Sequence, residues 1–357
     1  MKMVAFDFFC GAGGLTHGLL DAGIKVLAGF DIYGRCRETF EKNNPRVKFI
    51  ETDINKVTKA DLLKFSGRHD FKDMLFAGCA PCQPFSQQRK KLGGRKDATL
   101  LREFGRLIEI ALPGQVLMEN VPGIARVKGN STFKRFLKIL KTNNYHYSFK
   151  VLDAKEYGVP QSRKRLILIA IRGDRASLPQ SKYGSSSLAY RTVKQAISHF
   201  PMINAGKTHP SVPNHIVASL SDLNLERIKH TPHDGGDRRS WPKRLHLDCH
   251  LGNYSGHTDV YGRMAWNQPA PTLTGKCHSI SNGRYGHPVQ DRAISLREAA
   301  ALQTFPDGYV FHGSNQHIAL QIGNAVPVRF AKSLGKHVLY LRGYFSILPK
   351  KHFRRGY

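Results

Sequence analysis

A chain of 357 residues and 40.1 kDa has room for one large domain, or for a large domain that carries a smaller one. Hydrophobic residues make up 41% and charged residues 23% of it, which excludes a wholly disordered chain and a fibrous repeat. Lysine and arginine total 55 against 26 aspartate and glutamate, a net charge of +29. So large an excess favours a polyanionic partner, nucleic acid first, over a surface that is basic only for solubility.

The lengths of the apolar runs and the number of cysteines indicate the cellular compartment in which the protein is expected. No apolar run approaches the ~18–20 residues that a membrane span needs. Six cysteines are too few for a disulfide scaffold in a chain of this length. We therefore expect no membrane partner, a reducing intracellular compartment, namely the cytoplasm in association with the nucleoid, and at least one reactive thiol.

The first half of the chain alternates short apolar runs with helix-length segments. This pattern predicts βαβ units and a mostly parallel, doubly wound sheet of the Rossmann-like α/β class. The predicted strands are VAFDFF (4–9), KVLAGF (25–30), VKFIE (47–51), DMLFAG (73–78), QVLMEN (115–120), YSFKVLDA (147–154) and RLILIAI (165–171).

The composition of the sequence changes after Ile171, and the alternation of strands and helices stops. Scattered proline and glycine, with a stretch rich in histidine and arginine at 230–263, predict an irregular insertion or a small second domain. Helical patterns at 295–303 and 325–341 are expected to pack back on the sheet. The predicted domains are a catalytic domain at 1–172 completed by a C-terminal helix at about 318–345, a smaller irregular domain at 173–290, and a basic tail at 346–357.

The first predicted strand leads into a glycine-rich turn, Cys10-Gly11-Ala12-Gly13-Gly14. A cofactor commonly binds at this place in doubly wound sheets, because glycine lets backbone N–H groups approach a ligand closely. Asp31 ends the second strand and could accept hydrogen bonds from ribose hydroxyls, and Asp53 follows the third strand. A tight turn without a ligand is the alternative. The missing G-x-G-x-x-G spelling argues against a dinucleotide and leaves a smaller adenosine-bearing cofactor open.

The fourth predicted strand ends in a loop with two cysteines, Cys79 and Cys82. The pair could be a redox dithiol or half of a zinc site, or Cys82 alone, flanked by Pro81 and Pro84, could be a nucleophile. Zinc needs two further ligands at a matching spacing, and none follows at the expected distance. We therefore favour a nucleophilic Cys82 and interpret Cys79 as a packed residue at the strand end.

Polar residues at two further strand ends extend this picture. Glu119 ends the fifth strand, and adjacent ends of parallel strands converge on one crevice. A nucleophilic cysteine beside a carboxyl group that can donate a proton is suited to attack on an electron-poor heterocycle. Alternation along the last strand sends Arg163 and Arg165 to one face, where two guanidinium groups suit a base oxygen and a phosphate.

Six motifs in a fixed order make the chain resemble the DNA (cytosine-5)-methyltransferase family of the bacterial restriction-modification type. Singly, a Pro-Cys-Gln or a Glu-Asn-Val would be chance. The six are Asp7–Gly14, Pro81-Cys82-Gln83, Glu119-Asn120-Val121, Gln161-x-Arg163-x-Arg165, Arg292 with SLREAAALQTFPD (295–307), and Gln321–Val326. The resemblance covers nearly the whole chain, and 173–275 falls where the family keeps its variable target-recognition region.

This resemblance implies a sequence-specific, base-flipping enzyme that uses S-adenosylmethionine. By similarity, Cys82 adds to C6 of cytosine, Glu119 engages N3 and the exocyclic amine, and Arg165 with Arg163 holds O2 and the neighbouring frame. Asp31 would take the ribose of the cofactor and Asp53 its adenine amino group. The implied cofactor contacts are Phe9, Cys10, Gly11, Ala12, Gly14, Asp31, Ile32, Asp53, Ile54, Pro81, Leu100, Asn324 and Ala325. At position 32 relatives can stack a large aromatic residue on the adenine, and Ile32 departs from that pattern.

The stretch at 230–263 allows two interpretations. His246, Asp248, Cys249, His250 and His257 could hold a metal ion. We favour DNA contact and no metal, because arginine both reads guanine and positions the phosphate backbone. The arginines expected to bind DNA are Arg238, Arg239, Arg244 and Arg263.

The expected partner is double-stranded DNA, bound by a monomer. This expectation also allows a cognate restriction endonuclease that acts separately. Two alternatives stay open. One is an RNA cytosine-5 methyltransferase on the same scaffold, and the other is a sequence-specific DNA-binding protein without turnover.

Overall fold

The computed structural model describes residues 3–81, 98–126, 131–250 and 259–347. The described residues form a seven-stranded sheet in the order β3-β2-β1-β4-β5-β7-β6. Its strands are β1 Val4–Phe8, β2 Lys25–Asp31, β3 Lys48–Glu51, β4 Met74–Gly78, β5 Gln115–Asn120, β6 Tyr145–Asp153 and β7 Lys164–Arg172. Neighbours from β3 to β5 are parallel, whereas β7 runs antiparallel to both β5 and β6. The predicted α/β class and mostly parallel sheet are confirmed.

Helices cover both faces of the sheet and continue through the second half of the chain. They are α1 Gly14–Ala22, α2 Arg37–Asn43, α3 Lys59–Ser66, α4 Ala98–Ala111, α5 Thr132–Thr142, α6 Val193–Ile197, α7 Asp222–Lys229, α8 Leu296–Leu302, α9 Asn315–Asn324 and α10 Val328–Ile347. In the part of the chain that the structure describes, no helix combines the length and the apolar character needed to cross a membrane.

The central strands are buried on both faces, as expected of parallel strands covered by helices. Alternation along β1 sends Val4, Phe6 and Phe8 into a core that also contains Phe104 of α4. The opposite face of β1 joins a second core under α1 and α10. On that second face, β1 also carries a buried carboxyl group, Asp7, which is 0% exposed.

Helix α10 returns to the sheet and lies directly on α1. A Cβ atom at Gly18 would lie 2.4 Å from the Cβ of Ala331, so only glycine allows this approach. The C-terminal helix therefore packs beside the glycine-rich turn that precedes α1. The domain boundaries at 172 and 290 stay predictions, and residues 348–357 of the basic tail lie outside the described residues.

Residues 173–290 are mostly irregular, with α6 and α7 as their only α-helices within the described ranges. A small separate core gathers around Trp241 and Tyr261, with the Arg227 guanidinium 5.6 Å and 5.4 Å from their ring centroids. The last part of this region returns to the sheet, because the Ser162 backbone amide donates to the carbonyl of Ala270 over 2.8 Å. The region at 173–290 is thus joined to the chain just before β7.

Candidate active site

The glycine-rich turn between β1 and α1 has an unusual backbone that brings the C-terminal part of the chain close. Phe9, Gly11 and Gly13 all have positive φ angles, of 63°, 50° and 88°. A Cβ atom at Gly14 would lie 2.5 Å from the carbonyl oxygen of Val326 and 3.1 Å from the Cβ of Ala325. Glycine at position 14 is therefore required for the turn and the segment around Ala325 to meet.

The carboxylate of Asp31 is fixed against this turn. Its two oxygens accept hydrogen bonds from the backbone amides of Gly11 and Tyr33, each over 2.8 Å. Burial raises the pKa of Asp31, and the backbone amides of Tyr33 and Gly11 oppose that rise. Each carboxylate oxygen has two acceptor positions, so acceptor capacity for ribose hydroxyls remains. The donor and acceptor set fits an adenosine-bearing ligand.

Two further predicted contacts differ in exposure. Ile32 is 59% exposed, so its apolar surface is available to a ligand at the end of β2. Asp53 accepts hydrogen bonds from the Asn55 backbone amide over 3.0 Å and from its side-chain amide over 2.6 Å. The Asn55 backbone amide is the main cause that lowers the pKa of Asp53. Asp53 is thus an acceptor held in a turn.

The other predicted cofactor contacts are placed as follows: Cys10, Ala12 and Ile54 are buried, Pro81, Leu100 and Ala325 are half-buried, and Asn324 is exposed at the end of α9. The turn, Asp31 and Ala325 therefore gather at the carboxyl edge of the sheet. Cofactor contact by any of these residues stays a prediction.

Glu119 and Arg165 meet at the same edge. The Arg165 Nε atom lies 3.0 Å from Glu119 Oε1, and only 8% of Glu119 is exposed. Asn120 donates its side-chain amide to the carbonyl of Ala80 over 3.0 Å, which ties the end of β5 to the segment after β4. The predicted nucleophile, Cys82, lies outside the described residues.

Cys79 contributes a contact that the sequence did not reveal. Its thiol lies near the Glu119 side chain, whose charge acts on the Cys79 pKa. Burial first, and then the nearby Glu119 carboxylate, raises the pKa of Cys79 well above its ordinary value. The group is therefore a protonated thiol beside Glu119. The pairing of Gly78 with Met118 was the available signal, because it sets residues 79 and 119 side by side.

The prediction that Arg163 faces the substrate is wrong. Arg163 is 2% exposed, and its guanidinium donates to the backbone carbonyls of Leu273, Gly323 and Ala325 over 2.9, 3.0 and 3.2 Å. Burial is the main cause that lowers the pKa of Arg163 to about 9. The alternation of side chains correctly predicted that Arg163 lies close to the site. The segment before β7, however, turns this side chain into the protein interior.

Two of the arginines predicted to bind DNA are also buried. Arg263 is 0% exposed, donates to four backbone carbonyls and pairs with the Asp291 carboxylate. Arg238 is 7% exposed, so it does not present a free side chain to a phosphate. Arg239 and Arg244 are exposed, and each pairs with a carboxylate, of Asp237 and Glu226 respectively. DNA contact therefore stays a prediction for Arg239 and Arg244 and is corrected for the other two.

The histidine-rich stretch contains no metal-binding cluster within the described ranges, which omit His257. His246 instead lies against Trp241, with Nε2 3.1 Å from the Trp241 carbonyl oxygen. His250 packs edge-on to both His246 and Tyr261. These rings belong to the small core of the region.

Known proteins resemble this chain over nearly its full length. The family model for C-5 cytosine-specific DNA methylases matches residues 3–339. A Type II methylase of Herpetosiphon aurantiacus, M.HgiDII, is 40% identical over 344 residues, which cover 95% of each chain. The Type II methyltransferase M1.HphI of Haemophilus parahaemolyticus is 32% identical over 95% of this chain and 87% of its own.

A solved structure supports the fold. A protein described as a DNA modification methyltransferase encoded within an E. coli prophage superposes with a TM-score of 0.75 at 23% identity, over 96% of this chain and 100% of its own. The sheet therefore has the α/β methyltransferase fold. With the family match across the sheet, the turn and the paired Glu119 and Arg165, the chain belongs to the C-5 cytosine-specific DNA methylase family and is a DNA (cytosine-5-)-methyltransferase.

Proposed function

We propose that the protein methylates C5 of a cytosine flipped out of duplex DNA, through a covalent bond between Cys82 and C6, and that it protects DNA in a restriction-modification system. The observation that carries the proposal is the ion pair of Glu119 and Arg165 at the edge where the Pro81-Cys82 segment begins. This pair supplies a proton carrier and a cation beside a predicted nucleophile.

Each protein group has a defined part in this reaction. The Cys82 thiolate donates an electron pair to C6, and the displaced electrons move toward N3 and the C4 amine. Glu119, protonated from solvent when the base enters, gives that proton to N3, which neutralises the charge that develops there. Arg165 fixes the Glu119 carboxylate and binds O2 of the base. The addition leaves C5 nucleophilic. After C5 carries the methyl group, a water molecule takes the C5 proton, the C6–S bond breaks with its electron pair returning to Cys82, and the N3 proton returns to Glu119, which restores the aromatic ring.

The methyl donor of this family is S-adenosylmethionine, which supplies an electrophilic methyl group on a sulfonium when bound. Asp31 fits its ribose, because the carboxylate is fixed by two backbone amides and retains acceptor positions. Asp53 would accept from the adenine amino group, and Ile32 would cover the adenine with apolar surface. The turn at 9–14 and the exposed Asn324 would complete the site.

The charge of the chain supports duplex DNA as the substrate, since a net charge of +29 suits phosphate contacts. We propose that the region at 173–275 reads the target sequence and that the exposed Arg239 and Arg244 contact the duplex. One chain is sufficient to flip and methylate one base, so we propose a monomer, acting on DNA in the cytoplasm at the nucleoid.

A labelling experiment tests the activity. The protein is incubated with tritium-methyl S-adenosylmethionine and either mixed-sequence duplex DNA or total RNA, and the product is located by bisulfite sequencing. We expect label in DNA, at cytosines within one short repeated sequence. Label confined to RNA would support an RNA cytosine-5 methyltransferase instead. Tight DNA binding without label would support a DNA-binding protein that has no turnover.

A further inference from the structure

A buried group of three side chains joins parts of the chain that are far apart in sequence. We name Gln161, Arg163 and Gln303 the polar node. Gln161 and Gln303 are each 0% exposed, and Arg163 is 2% exposed. Buried polar groups are costly unless they are hydrogen-bonded, so their partners define what the node holds in place.

The first partner of the polar node is the end of the recognition region. The Leu273 backbone amide donates to Gln161 Oε1 over 2.9 Å, and the Leu273 carbonyl accepts from Arg163 Nη1 over 2.9 Å. Both backbone groups of Leu273 are therefore held by the node. The Thr272 hydroxyl adds a bond of 2.6 Å to the carbonyl of Ser162.

The second partner is the end of α9, where Asn324 is the last residue, with Ala325 directly after it. The Ala325 carbonyl accepts from Arg163 Nη2 over 3.2 Å and from Gln303 Nε2 over 3.3 Å. The Gly323 carbonyl accepts from Arg163 Nη2 over 3.0 Å. A Cβ atom at Gly323 would lie 2.2 Å from the carbonyl oxygen of Thr274, so this segment also touches the recognition region directly.

The third connection is to the reaction site. Arg163 stands two residues before Arg165, which pairs with Glu119. The Arg163 guanidinium thus lies between three parts of the protein. They are the proposed cofactor segment with Ala325, the end of the recognition region, and strand β7, which carries Arg165. A planar guanidinium can serve several acceptors at fixed angles, which an ammonium group cannot do.

We propose that Arg163 is a positioning residue that couples cofactor binding to DNA binding. A ligand that orders Asn324 and Ala325 also orders Arg163 and, through it, Leu273, so the second ligand loses less conformational entropy when it binds. By linkage, DNA strengthens cofactor binding by the same factor. The inference rests on the proposed function, because it assigns the two ligands to these two segments.

The test measures the dissociation constant of the full chain for duplex DNA that contains the mapped target sequence, with and without S-adenosylhomocysteine. This compound is the cofactor product that remains after methyl transfer and has no methyl group to give, so turnover does not intervene. We expect S-adenosylhomocysteine to tighten DNA binding about tenfold in the unaltered protein, within the usual range of coupling. In Arg163→Lys, S-adenosylhomocysteine should change the dissociation constant for DNA by no more than about twofold.

Arg297→Lys is the matched control. Arg297 is also 0% exposed and donates to the carbonyls of Pro213, Pro306 and Tyr309, but it contacts neither Leu273 nor Ala325. Its variant should be destabilised to a similar degree and keep the tenfold factor. The inference would be overturned if S-adenosylhomocysteine tightened DNA binding equally in Arg163→Lys and the unaltered protein. It would also be overturned if both variants lost this tightening to the same extent.

A second measurement needs no variant and covers the case in which Arg163→Lys fails to fold. Hydrogen exchange of the Leu273 amide should slow when S-adenosylhomocysteine alone binds to the unaltered protein. Unchanged exchange at Leu273, with S-adenosylhomocysteine bound, contradicts the coupling. An unaltered protein that methylates no DNA overturns the proposed function itself, whereas one that methylates DNA without this coupling overturns only the role of Arg163.

Discussion

Glu119 and Arg165 form an ion pair across two antiparallel strands, with 3.0 Å between Glu119 Oε1 and Arg165 Nε. Their side chains are 10% and 14% exposed, so water screens the pair weakly. Arg165 from β7 thus holds the carboxylate, and the Cys79 thiol, directly after β4, lies near it. The orientation of Glu119 is therefore determined before any base arrives.

Removal of the ionisable oxygen of Glu119 should slow methylation far more than it weakens cofactor binding. Glu119→Gln keeps the size of the side chain but cannot carry a proton to N3, so we expect kcat to fall by about 10²–10⁴-fold. Single-turnover methylation and a separate titration with S-adenosylhomocysteine measure the two effects. An unchanged rate would exclude Glu119 as the proton carrier.

Cys82→Ser should abolish methylation and leave DNA binding largely intact, because a serine hydroxyl is a far weaker nucleophile than a thiolate. Cys79→Ser provides the matched control. A hydroxyl at position 79 is a protonated group of similar size beside Glu119, so that variant should keep its rate within about tenfold. Filter binding and tritium transfer measure both quantities, and turnover in Cys82→Ser would remove Cys82 from the mechanism.

Asp7 makes the stability of the protein depend on pH. Burial is the main cause that raises the pKa of Asp7 from 3.8 to about 7, and the Thr16 hydroxyl donates to its carboxylate over 2.6 Å. The folded state therefore binds the Asp7 proton more tightly than the unfolded state, and this carboxyl lowers stability as the pH rises from about 4 to 7.

Asp7→Asn should remove that dependence, because the amide oxygen still accepts from Thr16 and cannot ionise. The free energy of unfolding of the variant, minus that of the unaltered protein, should increase by up to about 4 kcal/mol between pH 4 and pH 7. Urea unfolding at several pH values measures this difference, in which the contributions of other titrating groups cancel. A difference that stays constant over this range would contradict the assignment.

The sequence predicted the site where a local pattern determines position, and failed where tertiary packing does. Strand ends and parallel order predict that Asp31 and Glu119 lie at one edge, and the structure agrees. Burial of Arg163 and Arg263 depends on backbone carbonyls contributed by distant loops, which spacing does not encode. The same limit applies to the Cys79 contact, since strand register had to be known before residues 79 and 119 could be paired.

The exposed and buried arginines of the stretch at 230–263 should respond differently to substitution. Arg239 has a side chain that is 88% exposed, so Arg239→Ala should weaken DNA binding and reduce the dependence of log Kd on log salt concentration by about one. Its unfolding should change little, because its exposed pair with Asp237 contributes only weakly to stability.

Arg263→Met, in contrast, should destabilise the protein by about 3–5 kcal/mol. The change leaves Asp291 without its partner and leaves carbonyls such as those of Thr231 and His287 without a donor. At a temperature where the variant remains folded, the salt dependence of DNA binding should match that of the unaltered protein, because no phosphate contact is lost. A reduced salt dependence in Arg263→Met, with stability unchanged, would mean that Arg263 contacts DNA and would contradict the correction drawn from its burial.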